Sequence, residues 1–394
     1  MNREKPATSR NVLVRTLPLS HANYGGALQA FALQRVIRSL GHSVTTDTST
    51  ARPPRRLAGD AAHAAVRLLR PSRRRAHRIH QLATRPLAVD FVNERLETTE
   101  IFGKLGRPRR SRLKGFDAFV VGSDQVWRPR YGDVESFLFD FLPNRTSATI
   151  VSYAASFGSD PTAEFSPALR HETRDLAREF DAIGVREQSA VAHVASLWGR
   201  DATWTLDPTL LLHPQDYEAL QASARGPENS ASLGEPPLAL YVLDASPSLQ
   251  EAARRYAEVN EVAVSELLKP VPTDWRTYRE DPASHEMLAI GEWLSALHNA
   301  SRVVTDSYHG TIFALRFHRP FATIINRTRG ADRFESLLGA LELTDHLLDP
   351  AYIGEDLESS LAAVLDKPVD WSAVDTKLGT LREDSLKFLR DALA

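Results

Sequence analysis

The chain has 394 residues, with 48 Lys+Arg against 50 Asp+Glu, 42% hydrophobic residues and no cysteine. That length fits two or three domains, and the composition is that of a folded globular protein rather than a disordered, collagen-like or disulfide-built chain. Without cysteine, thiol catalysis, thiolate metal sites and disulfides are excluded, and no apolar run reaches the roughly 18 residues needed to span a bilayer.

The first residues, MNREKPATSR, lead into a short apolar run, NVLV, too short for the core of a secretory leader. A cytoplasmic location is therefore expected. Asn11–Thr16 reads as a β-strand, followed by a turn holding Gly25 and Gly26. Leu28, Phe31, Leu33, Val36, Ile37 and Leu40 then recur at mostly helical spacing, with Gly41 where a C-cap glycine belongs. Ser43–Thr46 resumes a strand pattern. A strand–loop–helix–strand unit of this kind marks parallel α/β architecture.

Residues 51–115 break the pattern with 17 Lys+Arg against 5 Asp+Glu, a net of +12, which leaves -14 for the rest of the chain. Such a block is either a solvated insertion or a patch for an acidic surface such as anionic lipid, acidic glycan or nucleic acid. Its aromatic residues are Phe91 and Phe102 alone, which argues against a stacking platform for single-stranded nucleic acid.

Strands are expected next at Phe116–Val121, Thr149–Tyr153, Ala182–Val185 and Ala202–Leu206, with a helix over Ser189–Leu197. Ser223–Pro237, rich in Gly, Pro, Ser and Glu, reads as a linker. A second series follows, with strands at Leu238–Leu243, Glu261–Val264, Arg302–Thr305 and Phe321–Ile325. Its helices fall at Leu249–Glu258, Ile290–His298, His309–Phe317, Phe334–Leu341 and Leu357–Leu365, and Trp371–Leu393 reads as a terminal helix. The chain thus divides into a Rossmann-like domain over 1–216 that carries the basic insertion, a second over 217–370, and a closing helix over 371–394. Two such halves predict a ligand cleft between them.

In open parallel sheets, ligands sit beyond the carboxyl ends of the strands. The loops expected there are polar: His21–Gly26, Gly122–Trp127, Ser156–Gly158, Arg186–Glu187, Asp207–Pro208 and Asp306–Thr311. In the last of these, Ser307 or Asp306 can cap a helix, and Gly310 leaves room for a ligand. The N–H groups there, up to Thr311, suit a phosphate or carboxylate. His309 would add a hydrogen bond or move a proton, and the bland reading is a capping turn. Arg186 could hold an anion in a forked pair or be salt-bridged to Glu187 or a neighbouring loop.

Asp124 could be a general acid/base, bind a sugar hydroxyl, or form an Asx-turn, and Asp207 reads as a turn former. Trp127 reads as core or as a platform for a sugar face. Asn23, Tyr24 and Gln29 are candidate acceptor contacts. Among Arg316, Arg319, Arg327, Arg329 and Arg333, most belong to ion pairs or the surface, and one or two could serve an anion. There is no dinucleotide fingerprint, P-loop, HExxH or GxSxG, and no dense His/carboxylate cluster that argues for a metal.

Taken in order, NYGGALQAFALQ (23–34), FDAFVVGSDQVW (116–127), SYAASFG (152–158), VREQSA (185–190), LDPTLLL (206–212) and VVTDSYHGTIFALRFHRPFATI (303–324) resemble the polysaccharide pyruvyl transferase family. The resemblance covers most of residues 11–345; the arginine-rich stretch departs from it. It implies two Rossmann-like domains facing a cleft, similar to the GT-B glycosyltransferases. It also implies transfer of the pyruvyl group of phosphoenolpyruvate to a pair of sugar hydroxyls, forming a ketal without a required metal or organic cofactor. On the family's pattern Arg186 and His309 matter most for donor binding and chemistry, then Asp124. The partners it implies are phosphoenolpyruvate and a saccharide or lipid-linked saccharide; the charge of 51–115, not the resemblance, adds an anionic membrane surface as a candidate contact, and no nucleic acid is expected. Two other readings stay open: a glycosyltransferase with a nucleotide-sugar donor, and a non-catalytic glycan- or lipid-binding protein.

Overall fold

The computed structural model describes residues 9–19, 23–49, 89–103, 106–143, 147–161, 164–222, 236–244, 246–269, 275–281, 283–285, 287–327, 329–350 and 356–394. His21, most of the basic insertion (51–88) and the linker (223–235) lie outside the described residues. The described residues form two compact units. The first holds those up to Ser49, Asp90–Leu212 and Leu378–Ala394; the second holds Val89 and His213–Lys377. The first half therefore ends at Leu212, and the terminal helix is shared: its residues from Leu378 onward belong to the N-terminal unit.

The N-terminal unit is built on a seven-stranded sheet of order β3-β2-β1-β4-β5-β6-β7. The strands are β1 (Asn11–Arg15), β2 (Ser43–Asp47), β3 (Thr98–Thr99), β4 (Ala118–Val121), β5 (Thr149–Ala155), β6 (Ala182–Val185) and β7 (Thr203–Trp204). All neighbours pair in parallel. Val12–Val14 and Val120–Val121 are fully buried, because both faces of a parallel sheet are covered.

Helix α1 (Tyr24–Ser39) follows β1. Gly25 and Gly26, expected in a turn, lie in its first turn instead. The Asn23 side chain folds back to accept a hydrogen bond from Gly26 N at 3.0 Å, and a Cβ on Gly26 would stand 2.9 Å from Asn23 Nδ2. A cap-compatible glycine thus starts the helix one turn earlier than its apolar spacing indicates. Gly41, at φ +93°, closes it as expected. Helix α2 (Pro167–Ala177) and helix α3 (Gln188–Trp198) complete the unit, together with part of the terminal helix. That terminal segment is locked in place by Leu206 N donating to Ser385 Oγ (3.0 Å) and Arg382 Nε donating to Leu211 O (2.6 Å).

The C-terminal unit has a five-stranded parallel sheet of order β12-β11-β10-β8-β9. Its strands are β8 (Leu238–Tyr241), β9 (Val264–Glu266), β10 (Arg302–Thr305), β11 (Phe321–Ile324) and β12 (Leu347–Leu348). Its main helices are α4 (Pro214–Ala222), α5 (Pro247–Val259), α6 (Ile290–His298), α7 (Tyr308–Arg316), α8 (Asp332–Ala340) and α9 (Leu357–Leu365); α10 (Trp371–Leu393) is the shared terminal helix. β9 begins at Val264 rather than Glu261 because Glu261, at φ +55°, still belongs to the turn that ends α5.

The strand order reverses between β1 and β4 in the first sheet and between β8 and β10 in the second. In open parallel sheets such switch points, outside the carboxyl ends of the strands, are where ligands bind.

Candidate functional site

At the first switch point the chain leaves β4 through Gly122, where a Cβ would stand 2.0 Å from Tyr153 O at a φ of +129°, so only glycine fits. Ser123 and Asp124 follow. Gln29 of α1 pins this loop: its Oε1 accepts from Ser123 N (2.9 Å), and its Nε2 donates to Thr16 Oγ1 (2.9 Å) and Gly26 O (2.9 Å). Gln29 is fully buried, so its amide is spent on the fold rather than offered to an acceptor.

Arg186, one residue past β6, is 2% exposed. Its Nη1 donates to Asp207 at 3.1 Å and its Nη2 to Asp124 at 3.3 Å. Asp207 also accepts from Thr209 N (3.0 Å) and Thr209 Oγ1 (2.7 Å), so it is both turn former and ion-pair partner. Glu187 accepts from Ser156 Oγ. Two carboxylates face one enclosed guanidinium. Arg186 is therefore not an open fork awaiting an anion; it fixes Asp124, which sits at φ +81° and retains 7% exposure.

Trp127 is fully buried, with its ring centroid 4.9 Å from Trp198 and 5.2 Å from Phe157. Its indole face is enclosed by core aromatics, which corrects the acceptor-stacking expectation. Tyr24 is buried, while Asn23 is exposed at the start of α1.

At the second switch point Asp306 bridges two loops. Its carboxylate accepts from Leu243 N (2.6 Å) and Asp244 N (2.9 Å), which tie the end of β8 to the end of β10. Burial pushes the Asp306 carboxyl up from its ordinary value, against the pull of those two N–H groups and Arg329. Ser307 caps α7 by accepting from Gly310 N at 3.4 Å. His309 is the second residue of that helix and is 8% exposed. The first N–H groups of a helix have no intrahelical partner, and here the helix dipole points at the switch point.

Two expectations about this loop change. A Cβ on Gly310 would stand 2.3 Å from Thr305 Oγ1, so the glycine lets α7 lie against β10 rather than making room for a ligand. Thr311 is fully buried, with its Oγ1 on Ser307 O (3.2 Å) and Thr323 Oγ1 (2.8 Å), so its hydroxyl belongs to the core.

Arg329 reaches the same loop cluster from beyond β11. It forks onto Asp244 through Nε (2.5 Å) and Nη2 (2.6 Å), and Asn326 Nδ2 donates to Asp244 at 2.5 Å. Arg329 holds the Asp244 carboxyl below its ordinary value. Both side chains are open to solvent, 35% and 45%. Arg327 pairs with Asp349 (2.6 Å), and Arg333 lies buried against Tyr308 and Phe334. The sequence reading missed Asp244 and Asn326. Both follow strand ends, and the rule that found Asp306 finds them when applied to β8 and β11. Among the described residues no group of three or more His, Asp or Glu is placed to hold a metal ion.

The two clusters belong to different units: Asp124, Arg186 and Asp207 to the first, His309, Asp306 and Arg329 to the second. Within each unit the residues expected from the sequence gather at the carboxyl edge. The structure of MnaA from S. aureus with UDP is similar in fold, at 11% identity and a TM-score of 0.51, covering 94% of this chain and 90% of that one. Weaker likenesses join a glycotransferase of kitacinnamycin (13% identity, TM-score 0.49, 98% and 100% covered) and a putative UDP-N-acetylglucosamine 2-epimerase from Listeria monocytogenes (12%, 0.48, 96% and 97%). The fold is α/β with two parallel sheets, as the motifs led one to expect. No curated protein matches the chain. The family model for polysaccharide pyruvyl transferase matches residues 23–328, a span that holds the GSD loop, Arg186, Asp207 and the DSYHG segment, and the chain is accordingly a transferase belonging to the polysaccharide pyruvyl transferase family.

Proposed function

We propose that the protein transfers the pyruvyl group of phosphoenolpyruvate to two hydroxyls of a saccharide, free or lipid-linked, and releases phosphate. The observation that carries this reading is His309 at the N-terminal turn of α7, beyond β10, with Arg329 in the same unit. Phosphoenolpyruvate brings a phosphate and a carboxylate, which a helix N-terminus and a guanidinium both favour.

The reaction needs a proton at the methylene carbon and attack of one hydroxyl at the neighbouring carbon. The second hydroxyl then displaces phosphate and closes the ketal, each hydroxyl giving up its proton. The C-terminal unit takes the donor side: Ser307, His309 and the α7 N–H groups receive the anion, and His309 moves a proton there. The N-terminal unit takes the acceptor side: Asp124 accepts a hydroxyl proton, Arg186 and Asp207 hold Asp124 in place, and Asn23 is open for a sugar contact. The protein works in the cytoplasm, with residues 51–115 turned to an anionic membrane surface.

The test is phosphate release from phosphoenolpyruvate across a panel of glycosides, with mass analysis for an added pyruvyl group and a nucleotide-sugar arm as control. His309→Ala should cut the rate about 10²–10⁴-fold while the melting temperature holds. Full activity in that variant, or turnover with the nucleotide sugar alone, would refute the assignment.

A further inference from the structure

The N-terminal unit carries a cavity at the edge of its sheet opposite the switch point. It has a volume of about 660 Å³ and is lined by Phe116 and Asp117, which precede β4, and by Ala148, which precedes β5. β4 is four residues long, and at roughly 3.3 Å per residue this edge lies on the order of 13 Å from the Ser123–Asp124 loop. Phe119, Phe141 and Leu142 give it apolar walls, and Phe116, Phe141 and Leu142 remain partly exposed.

Beside them runs a cationic ridge, Arg107 to Lys114. Arg109 pairs with Glu100 at 3.2 Å. Arg107, Arg110, Arg112 and Lys114 are exposed, and among the described residues no carboxylate pairs with them. Arg110 and Lys114 also line the cavity. Two carboxylates share the lining, Asp117 and Asp140. Asp117 is committed to the fold through Asn11 N, at 2.8 Å.

Exposed cations beside half-buried apolar side chains match one chemistry: an anionic headgroup with hydrocarbon below it. We propose that this edge docks on an anionic lipid bilayer. Arg107, Arg110, Arg112 and Lys114 meet headgroup phosphates, and the cavity walled by Phe116, Phe141 and Leu142 takes up part of one lipid. The inference rests on the reading that residues 51–115 meet a membrane, and it assigns that contact to 107–114 and the cavity instead of the segment before it.

The test is co-sedimentation of the full chain with phosphatidylcholine vesicles, with and without phosphatidylglycerol. Wild type should bind the anionic vesicles alone and be released by salt. Arg110→Gln/Arg112→Gln/Lys114→Gln should weaken partitioning about 100-fold, from roughly a five-fold factor per surface cation, at unchanged melting temperature and unchanged phosphate release with a soluble acceptor. Leu142→Ser should also weaken binding to the anionic vesicles at low salt, because part of the apolar contribution is removed. If the triple variant binds as wild type does while Arg73→Gln/Arg74→Gln/Arg75→Gln does not, the broader membrane reading stands and this inference falls. If wild type ignores anionic vesicles, both fall.

Discussion

The two switch points use acidic residues in opposite ways. In the N-terminal unit, Asp124 and Asp207 close on an Arg186 that water barely reaches. In the C-terminal unit, Asp244 and Arg329 meet in a forked pair that stays in solvent, beside a helix N-terminus and His309. A buried pair that has lost its water holds geometry, because breaking it strands a charge. An exposed pair gains little from its own contact and can yield a charge to an arriving anion. On the proposed reading, the contrast gives the first cluster the rigid part and the second the exchange of ligand.

That contrast can be broken by substitution, and the largest effect belongs to the closed cluster. Arg186→Ala should cost about 3–5 kcal/mol of stability, read by urea unfolding, since Asp124 and Asp207 would be left buried without their cation. A loss under about 1 kcal/mol would show that the triad is not the anchor described. Gly310→Ala should come next. Its new Cβ would press on Thr305 Oγ1, which donates to Tyr241 O at 2.6 Å, and the expected loss is about 1–3 kcal/mol. If that variant keeps its stability but loses phosphoenolpyruvate binding, Gly310 serves the ligand and not the packing of α7 on β10. Arg329→Ala should be smallest in stability, about 1 kcal/mol or less. It should nonetheless raise KM for phosphoenolpyruvate about ten-fold, the factor that corresponds to roughly 1.4 kcal/mol of binding. An unchanged KM would remove Arg329 from the donor side.

Much of this arrangement was legible because parallel strands are buried on both faces and read as unbroken apolar runs, as in Val12–Val14, Val120–Val121 and Val303–Val304. Arg302–Thr305 and Ile290–His298 coincide with their expected bounds. The two-residue edge strands β3 and β12 carry no periodicity to read. Helix α2 was missed because its inner face is short, with Leu169, Thr173 and Ala177 buried and Leu176 half-buried, and the rest of PALRHETRDLA is polar or exposed. The loops that bear the sites were legible from their place after strands. Their internal pairings were not: Arg186 meets Asp124 across 62 residues and Asp207 across 21, and no local spacing encodes a contact made by chain folding. The meaning of Gly310 and Trp127 was likewise set by neighbours from other elements, Thr305 and Tyr241 in one case and Trp198 and Phe157 in the other.

Helix α10 gives its residues from Leu378 onward to the N-terminal unit, where Ser385 receives Leu206 N and Phe388 packs over Gly184. During synthesis the strands of that unit leave the ribosome first, yet their final covering arrives last. At about 5–20 residues per second the half-finished sheet waits on the order of ten seconds or more for the intervening 165 residues from His213 to Lys377. Over that interval the apolar surface around Gly184 and Tyr153 stands uncovered, a window in which a chaperone, or aggregation, competes with the helix for the same face.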